Sequence, residues 1–150
     1  MYNGLMKKRV MEVLLITLAL LCGCQEKVTP VTLTNTYTIA FYSVTDCSEC
    51  KAFKKNAIPY LEEALGDQVT VVMYDLDSDE AEEPYTKAVE SLMDFDDQYF
   101  GMGPFIDVEG CFAYIGYEGG DAKRLVSDIR SYDADEELSD EMASRRFMHT

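Results

Sequence analysis

FYSVTDCSECKAF, residues 41–53, is the stretch that decides the fold. Its first part closes an apolar, β-branched and aromatic run, YTIAFYSV (37–44), which reads as a buried strand. Cys47 and Cys50 follow at once. Phe53 then starts a series with Ala57, Ile58, Leu61 and Leu65 that recurs at helical spacing. Lys51, Lys54, Lys55, Glu62 and Glu63 fall on the other side of that helix. Pro59 is expected to bend or restart it, and Gly66-Asp67 to end it. A Cys-x-x-Cys at such a junction admits four uses: a zinc site, a haem attachment, a structural bridge or electron exchange.

Further along the chain the periods stay legible. QVTVVMYDLD (68–77) predicts a second strand, apolar at its centre as an interior parallel strand is. Pro84 suits the first turn of a second helix, in which Tyr85, Ala88, Val89, Leu92 and Met93 keep helical spacing. A connecting segment follows, with Phe95, Tyr99 and Phe100 expected to tuck back onto the core. PFIDV (104–108), the turn Glu109-Gly110 and CFAYIGY (111–117) predict a β-hairpin. Gly119-Gly120-Asp121 opens a last helix with Asp121 as its N-cap, and Ala122, Leu125, Val126 and Ile129 form its apolar face. Residues 132–150 read as an acidic C-terminal extension or tail, with a solvated surface. The β-α-β-α-β-β-α order makes the first strand pair parallel and lets the hairpin supply an antiparallel edge. The fold class is an α/β sandwich around a small mixed sheet.

The chain is similar to the thioredoxin superfamily in three places: FYSVTDCSECKAF at the strand-to-helix junction, VVMYDLD after it, and GMGPFIDVEG before the hairpin and final helix. The resemblance covers residues 37–131 and implies a thioredoxin-like α/β sandwich with thiol–disulfide oxidoreductase activity. In that setting Cys47 stands at a helix N-terminus, where unpaired amides and the helix dipole stabilise a thiolate. Cys50, one turn later, lies on the same face and within reach of a Cys47–Cys50 disulfide. Cys47 is then the attacking nucleophile and Cys50 the resolving thiol. Family members keep a cis-proline facing the pair. Pro104 stands in that place and is expected to be cis, with Gly103 offering backbone to an extended substrate segment.

The competing uses fare differently. Zinc needs four ligands, and the sequence has neither a second Cys-x-x-Cys nor a His pair; its one histidine is His149. Haem attachment wants His directly after the second cysteine, and residue 51 is Lys. A structural disulfide stays open as an alternative. Electron exchange needs no metal and no soluble cofactor. Cys111, at the hairpin's second strand, reads as a small buried residue, with exchange against the active pair as a second reading.

Asp46, Ser48 and Glu49 are the residues placed to tune the pair. Two carboxylates beside a thiolate oppose it by like-charge repulsion, which disfavours the dithiol and makes a better reductant. Where thioredoxins carry a buried acid before the first cysteine, this chain has Phe41, or Ala40 with a shift of one. It has no tryptophan, and Asp46 takes the place of the one that usually flanks the pair.

The N-terminal residues set the compartment. Lys7, Lys8 and Arg9 precede VLLITLALL, an apolar run of nine residues, too short to span a bilayer and suited to an export signal. Leu21-Cys22-Gly23-Cys24 resembles a bacterial lipobox. It implies a lipoprotein signal peptide over residues 1–23, lipidation at Cys24 and a lipidated tether over 24–36. The formal net charge is −15, which excludes nucleic acid as a partner by simple repulsion.

The expected protein is therefore a membrane-anchored, extracytoplasmic oxidoreductase, more reductase than oxidase. It acts on protein or peptide thiols and disulfides and is recharged by a membrane redox partner. The alternatives are a binding module on the same fold, presenting exposed Tyr99, Tyr114 or Tyr117 beside a static bridge, and an accessory protein for one secreted peptide.

Overall fold

The strand predicted from YTIAFYS is β1, Tyr37–Ser43, and it lies inside the sheet. In the computed structural model, which describes residues 27–150, five strands run in the order β2-β1-β3-β4-β5. The expected signal peptide (1–23) and Cys24 lie outside the described residues. β2 (Val69–Asp75) pairs with β1 in parallel, Tyr37 opposite Val69 and Ser43 opposite Asp75. On the other side, β3 (Phe105–Val108) pairs antiparallel, Phe41 opposite Ile106. β4 (Phe112–Ile115) completes the hairpin. Helices cover both faces of the sheet, so the α/β architecture and the element order are as expected.

β1 alternates between two cores. Ile39 and Phe41 face a layer made by Phe53, Ala57, Leu61, Leu65, Leu125 and Ile129. Ala40 and Tyr42 face the other layer, with Tyr85, Ala88 and Phe105. A strand covered on both sides reads as a continuous apolar run, which is why YTIAFYS lacks clean polar alternation.

The first helix is continuous but not uniform. α1 (Ser48–Ala52) passes through a π turn (Phe53–Ala57) into α2 (Ile58–Leu65). Pro59 sits at the start of α2. It has no N–H to donate and its ring crowds the carbonyl four residues back, so the wider turn ahead of it relieves both conflicts. Ile58 N–H accordingly reaches Phe53 O, five residues away. The expected bend is thus a π turn.

Several expectations are corrected. QVTVVMYDLD is not an interior strand: β2 is an edge, with Met73 60% exposed. Its apolar centre reflects the helices packed on it, and composition cannot separate that from a neighbouring strand. Asp121 is not the N-cap of α4 (Asp121–Asp133); Gly120, at φ 93°, holds that position. Asp121 instead accepts from the Glu118 N–H at 2.7 Å and pairs with Arg124 and Arg145. Phe95 and Tyr99 pack on the core, but Phe100 is 55% exposed, its ring against Tyr85.

The two ends expected to be loose are folded. Val28, Val31 and Leu33 of the expected tether pack on the core, and Val31 N–H donates to Ala64 O. Asp133 then accepts from the N–H groups of Thr34 and Asn35 and from the Tyr37 hydroxyl. The C-terminal segment forms β5 (Arg146–Met148), which pairs antiparallel with β4 and becomes the second edge. Arg146 reaches the buried Asp128 at 3.0 Å, and Tyr114 donates its hydroxyl to the same carboxylate. His149 lies between Asp107 (2.6 Å) and Ser91 (2.8 Å), joining the sheet to the end of α3 (Glu82–Glu90).

Two outcomes follow for stability. Asp128→Ala leaves Arg146 and Tyr114 without their carboxylate and is expected to cost about 3–5 kcal/mol, read by denaturant unfolding. The hydrogen bonds from Thr34, Tyr37 and Asn35 hold Asp133 down at about 2. Its folded value is thus below the ordinary carboxylate value, so its support for residues 34–37 is complete above about pH 4 and is lost as pH falls through about 2. Amide exchange at Thr34 and Asn35 should rise in that window, and Asp133→Asn should raise it already at neutral pH.

Candidate active site

β1 ends at Ser43, and four residues later Cys47 caps α1. Asp46 makes the turn between them with φ 57°, a left-handed conformation that Asp tolerates better than most residues. Cys47 is bonded to Cys50, their Cα atoms 5.2 Å apart. The Cys47 Sγ accepts the Cys50 N–H at 2.9 Å, so an orphan amide of the helix start points at the sulfur. The two cysteines are unequal. Cys47 is half-buried and opens to solvent, whereas Cys50 is buried among the residues of the larger core.

Gly103 and Pro104 stand just before β3, and Gly103 approaches this turn at Val44. The Gly103–Pro104 peptide is cis. Gly103 lies close to Val44, and a Cβ on it would stand 3.2 Å from the Val44 N and 3.3 Å from its side chain. A side chain there would push the two backbones a few tenths of an ångström apart. The Pro104 carbonyl accepts from Gly116 N–H at 2.9 Å, which ties the loop to the end of β4. Thr45 is held from the other side: its N–H and hydroxyl both donate to Asp77, at 2.8 and 2.5 Å. These bonds hold the Asp77 carboxyl below the usual carboxylate range.

Glu49, expected to tune the thiolate, is directed elsewhere. Its Oε2 accepts from Tyr117 N–H at 2.9 Å. Gly116, at φ 80°, leaves open the space where a Cβ would stand 3.3 Å from that carboxylate and 3.6 Å from the Arg145 guanidinium. The residue between the cysteines thus fastens α1 to the loop before α4. Asp46 and Ser48 are exposed.

Phe41, which stands where the resemblance led us to look for a buried acid, stacks on Phe53 with ring centroids 4.5 Å apart. Lys54 lies over the Phe41 ring at 5.6 Å, and its Nζ is 3.4 Å from the Ser43 hydroxyl. Sequence reasoning missed Lys54 and Ser43 as neighbours of the site. The available signal was that Lys54 stands four residues after Cys50 on the same helix. The Asp77 clamp on Thr45 had no sequence signal.

Cys111 is buried, as its first reading has it, while its second reading, exchange with the pair, and the expectation of exposed tyrosines are corrected. Cys111 is buried beside the β3–β4 turn, where Val108 pairs with Ile39 near the start of β1. The cysteine pair lies past the end of β1, roughly 20 Å away along seven strand residues, so the two cannot exchange within one folded chain. Burial also pushes the Cys111 thiol up. The three tyrosines expected on the surface are mostly internal: Tyr114 is 0% and Tyr117 7% exposed, and Tyr99 packs half-buried on the second core.

Of Cys47, Cys50 and Cys111, brief reduction followed by a pulse of iodoacetamide at neutral pH should therefore label Cys47 alone. Cys50 and Cys111 should label only after unfolding. Equal labelling of Cys111 in the folded protein would contradict its placement.

No protein-family model matches the chain, and no curated protein does. Among solved structures it is similar to a protein disulfide oxidoreductase from Aeropyrum pernix K1, with 18% sequence identity and a TM-score of 0.48. The match covers 77% of this chain and 45% of that one, so this chain corresponds to about half of the archaeal protein.

Proposed function

We infer that this chain is a thiol–disulfide oxidoreductase working outside the cytosol, held to the membrane by a lipid on Cys24 and acting more as a reductase than as an oxidase. The observation that carries the reading is the inequality of the bonded pair: an accessible Cys47 at a helix start and a buried Cys50 behind it, beside Gly103 and Pro104. A surface bridge kept for stability alone needs no such division.

In the reducing direction the Cys47 thiolate attacks one sulfur of a substrate disulfide. The substrate S–S bond breaks, a mixed disulfide forms, and one substrate thiolate leaves. The Cys50 thiolate then attacks the Cys47 sulfur, closes the Cys47–Cys50 bond and releases the second substrate thiolate. Two electrons pass from the dithiol to the substrate, and the leaving thiolates take up the two protons. A membrane redox partner has to return two electrons for each turnover, because cytosolic reductant does not reach that side. Gly103 offers its backbone to an extended substrate segment. The carboxylates of Asp46 and Glu49 support the reducing direction, and the Tyr117 hydrogen bond draws part of the Glu49 charge away from the thiol.

The lipobox-like Leu21-Cys22-Gly23-Cys24 supports anchoring at Cys24. Palmitate labelling in cells should mark the wild type and be lost in Cys24→Ala.

The redox reading is tested by equilibrating the protein with glutathione and dithiothreitol. A potential near that of thioredoxin, about −270 mV, supports a reductase, and one near −120 mV reverses the direction. A value below about −300 mV, with Cys47 inert after mild reduction, leaves a structural bridge and sinks the enzyme. Cys50→Ser should trap a mixed disulfide with substrate, and Cys47→Ser should trap none.

A further inference from the structure

A groove of about 330 Å³ opens at Val44, three residues before Cys47. Val44, Leu76, Tyr85 and Phe100 form its apolar side. Val44 also lies close to Gly103, so the groove begins on the segment that carries the cysteine pair. Phe100 and Met102, 55% and 49% exposed, stand on the segment that leads into Pro104. Large apolar side chains held in water at the rim of a groove are a contact surface waiting for a partner.

The chemistry of that partner is set by charge. Asp77, Asp79 and Glu82 form the polar side of the groove, and no Lys or Arg lines it. A neighbouring groove shares Asp79, Glu82 and Thr86 and carries the surface on past Glu83 and Glu90. Its one cation is Lys87. Glu82 and Glu83 in the first turn of α3, and Asp79 just before it, suit the positive end of the helix, but that end carries only about half a charge and three carboxylates exceed it. Thr45 keeps Asp77 ionised by donating both its N–H and its hydroxyl. A guanidinium or ammonium group entering here meets carboxylates on one side and the exposed Phe100 ring on the other, which favours a cation twice over.

We propose that this groove selects the substrate: it takes a peptide segment that carries Lys or Arg next to an apolar side chain, close to the disulfide cysteine. The proposal rests on the oxidoreductase reading for what happens to that cysteine, but docking in the groove is separable from the exchange.

The experiment uses two pairs of peptides. One pair contains a disulfide flanked by Arg-Phe or by Glu-Phe; the other pair has serine in place of every cysteine. Calorimetry with the serine peptides is expected to show the Arg peptide binding about tenfold tighter than the Glu peptide at low salt, since each charge contact is modest and two or three combine. The preference should shrink as salt rises and vanish in Asp79→Asn/Glu82→Gln, whose folding is checked by thermal unfolding. Equal binding of the two serine peptides overturns the proposal, as does a preference that survives in the double variant. The disulfide peptides report on the other question. Faster exchange of the Arg peptide is the expected result. No exchange of either, with the serine-peptide preference intact, sinks the oxidoreductase reading and leaves the groove standing.

Discussion

β1 has protein on both faces and a strand on both sides, and the site depends on its register. Ile39 and Phe41 fit one core, Ala40 and Tyr42 the other. A slip of one residue would drive Tyr42 into the space that Phe41 fills against Phe53 and would leave its hydroxyl among apolar neighbours. The register is therefore held at both faces. Because Cys47 follows the end of β1 by four residues, the position of its sulfur is inherited from that packing. Val44 and Thr45 carry the constraint across the gap, one against Gly103 and the other on Asp77.

The second organising feature is a set of buried carboxylates that gather distant segments. Asp128 holds Arg146 and Tyr114, Asp107 holds His149, and Asp121 holds Arg145. Each joins the C-terminal segment to α4 or to β3. A chain of strongly negative charge thus places Arg145 and Arg146 where they neutralise carboxylates that have lost their water. Arg145 also comes close to the Gly116 backbone that shelters Glu49, so the same segment reaches the surroundings of the active pair.

What the sequence made legible was local. FYSVTDCSECKAF announced the strand, the cysteine pair and the helix because apolar period and motif agree over adjacent residues. Pro59 announced a disturbance, and the π turn is its physical form. What stayed hidden was non-local. RFM in β5 is three residues long and begins with an arginine, so no period marks it as a strand; its place is set by Asp128 and the edge of β4. Tyr114 looked like a surface residue because its hydroxyl needs a partner, and that partner lies fourteen residues away on α4. Glu49 looked like a neighbour of the thiol, yet Tyr117, sixty-eight residues on, claims its carboxylate.

The two edges of the sheet differ in kind. On one side the outer rim of the short β5 is covered by residues 91–93, Met93 N–H donating to Met148 O and Leu92 bridging His149, while on the other no strand among the described residues pairs with the outer side of β2. An open strand edge is a template for another strand. With one edge covered, growth by backbone pairing has a single direction, and two copies meeting through β2 would use up the open edge of both. Such contact closes at a pair and cannot propagate into a fibre. The short C-terminal strand therefore does more than complete the sheet: it sets the limit on how far misassembly can run.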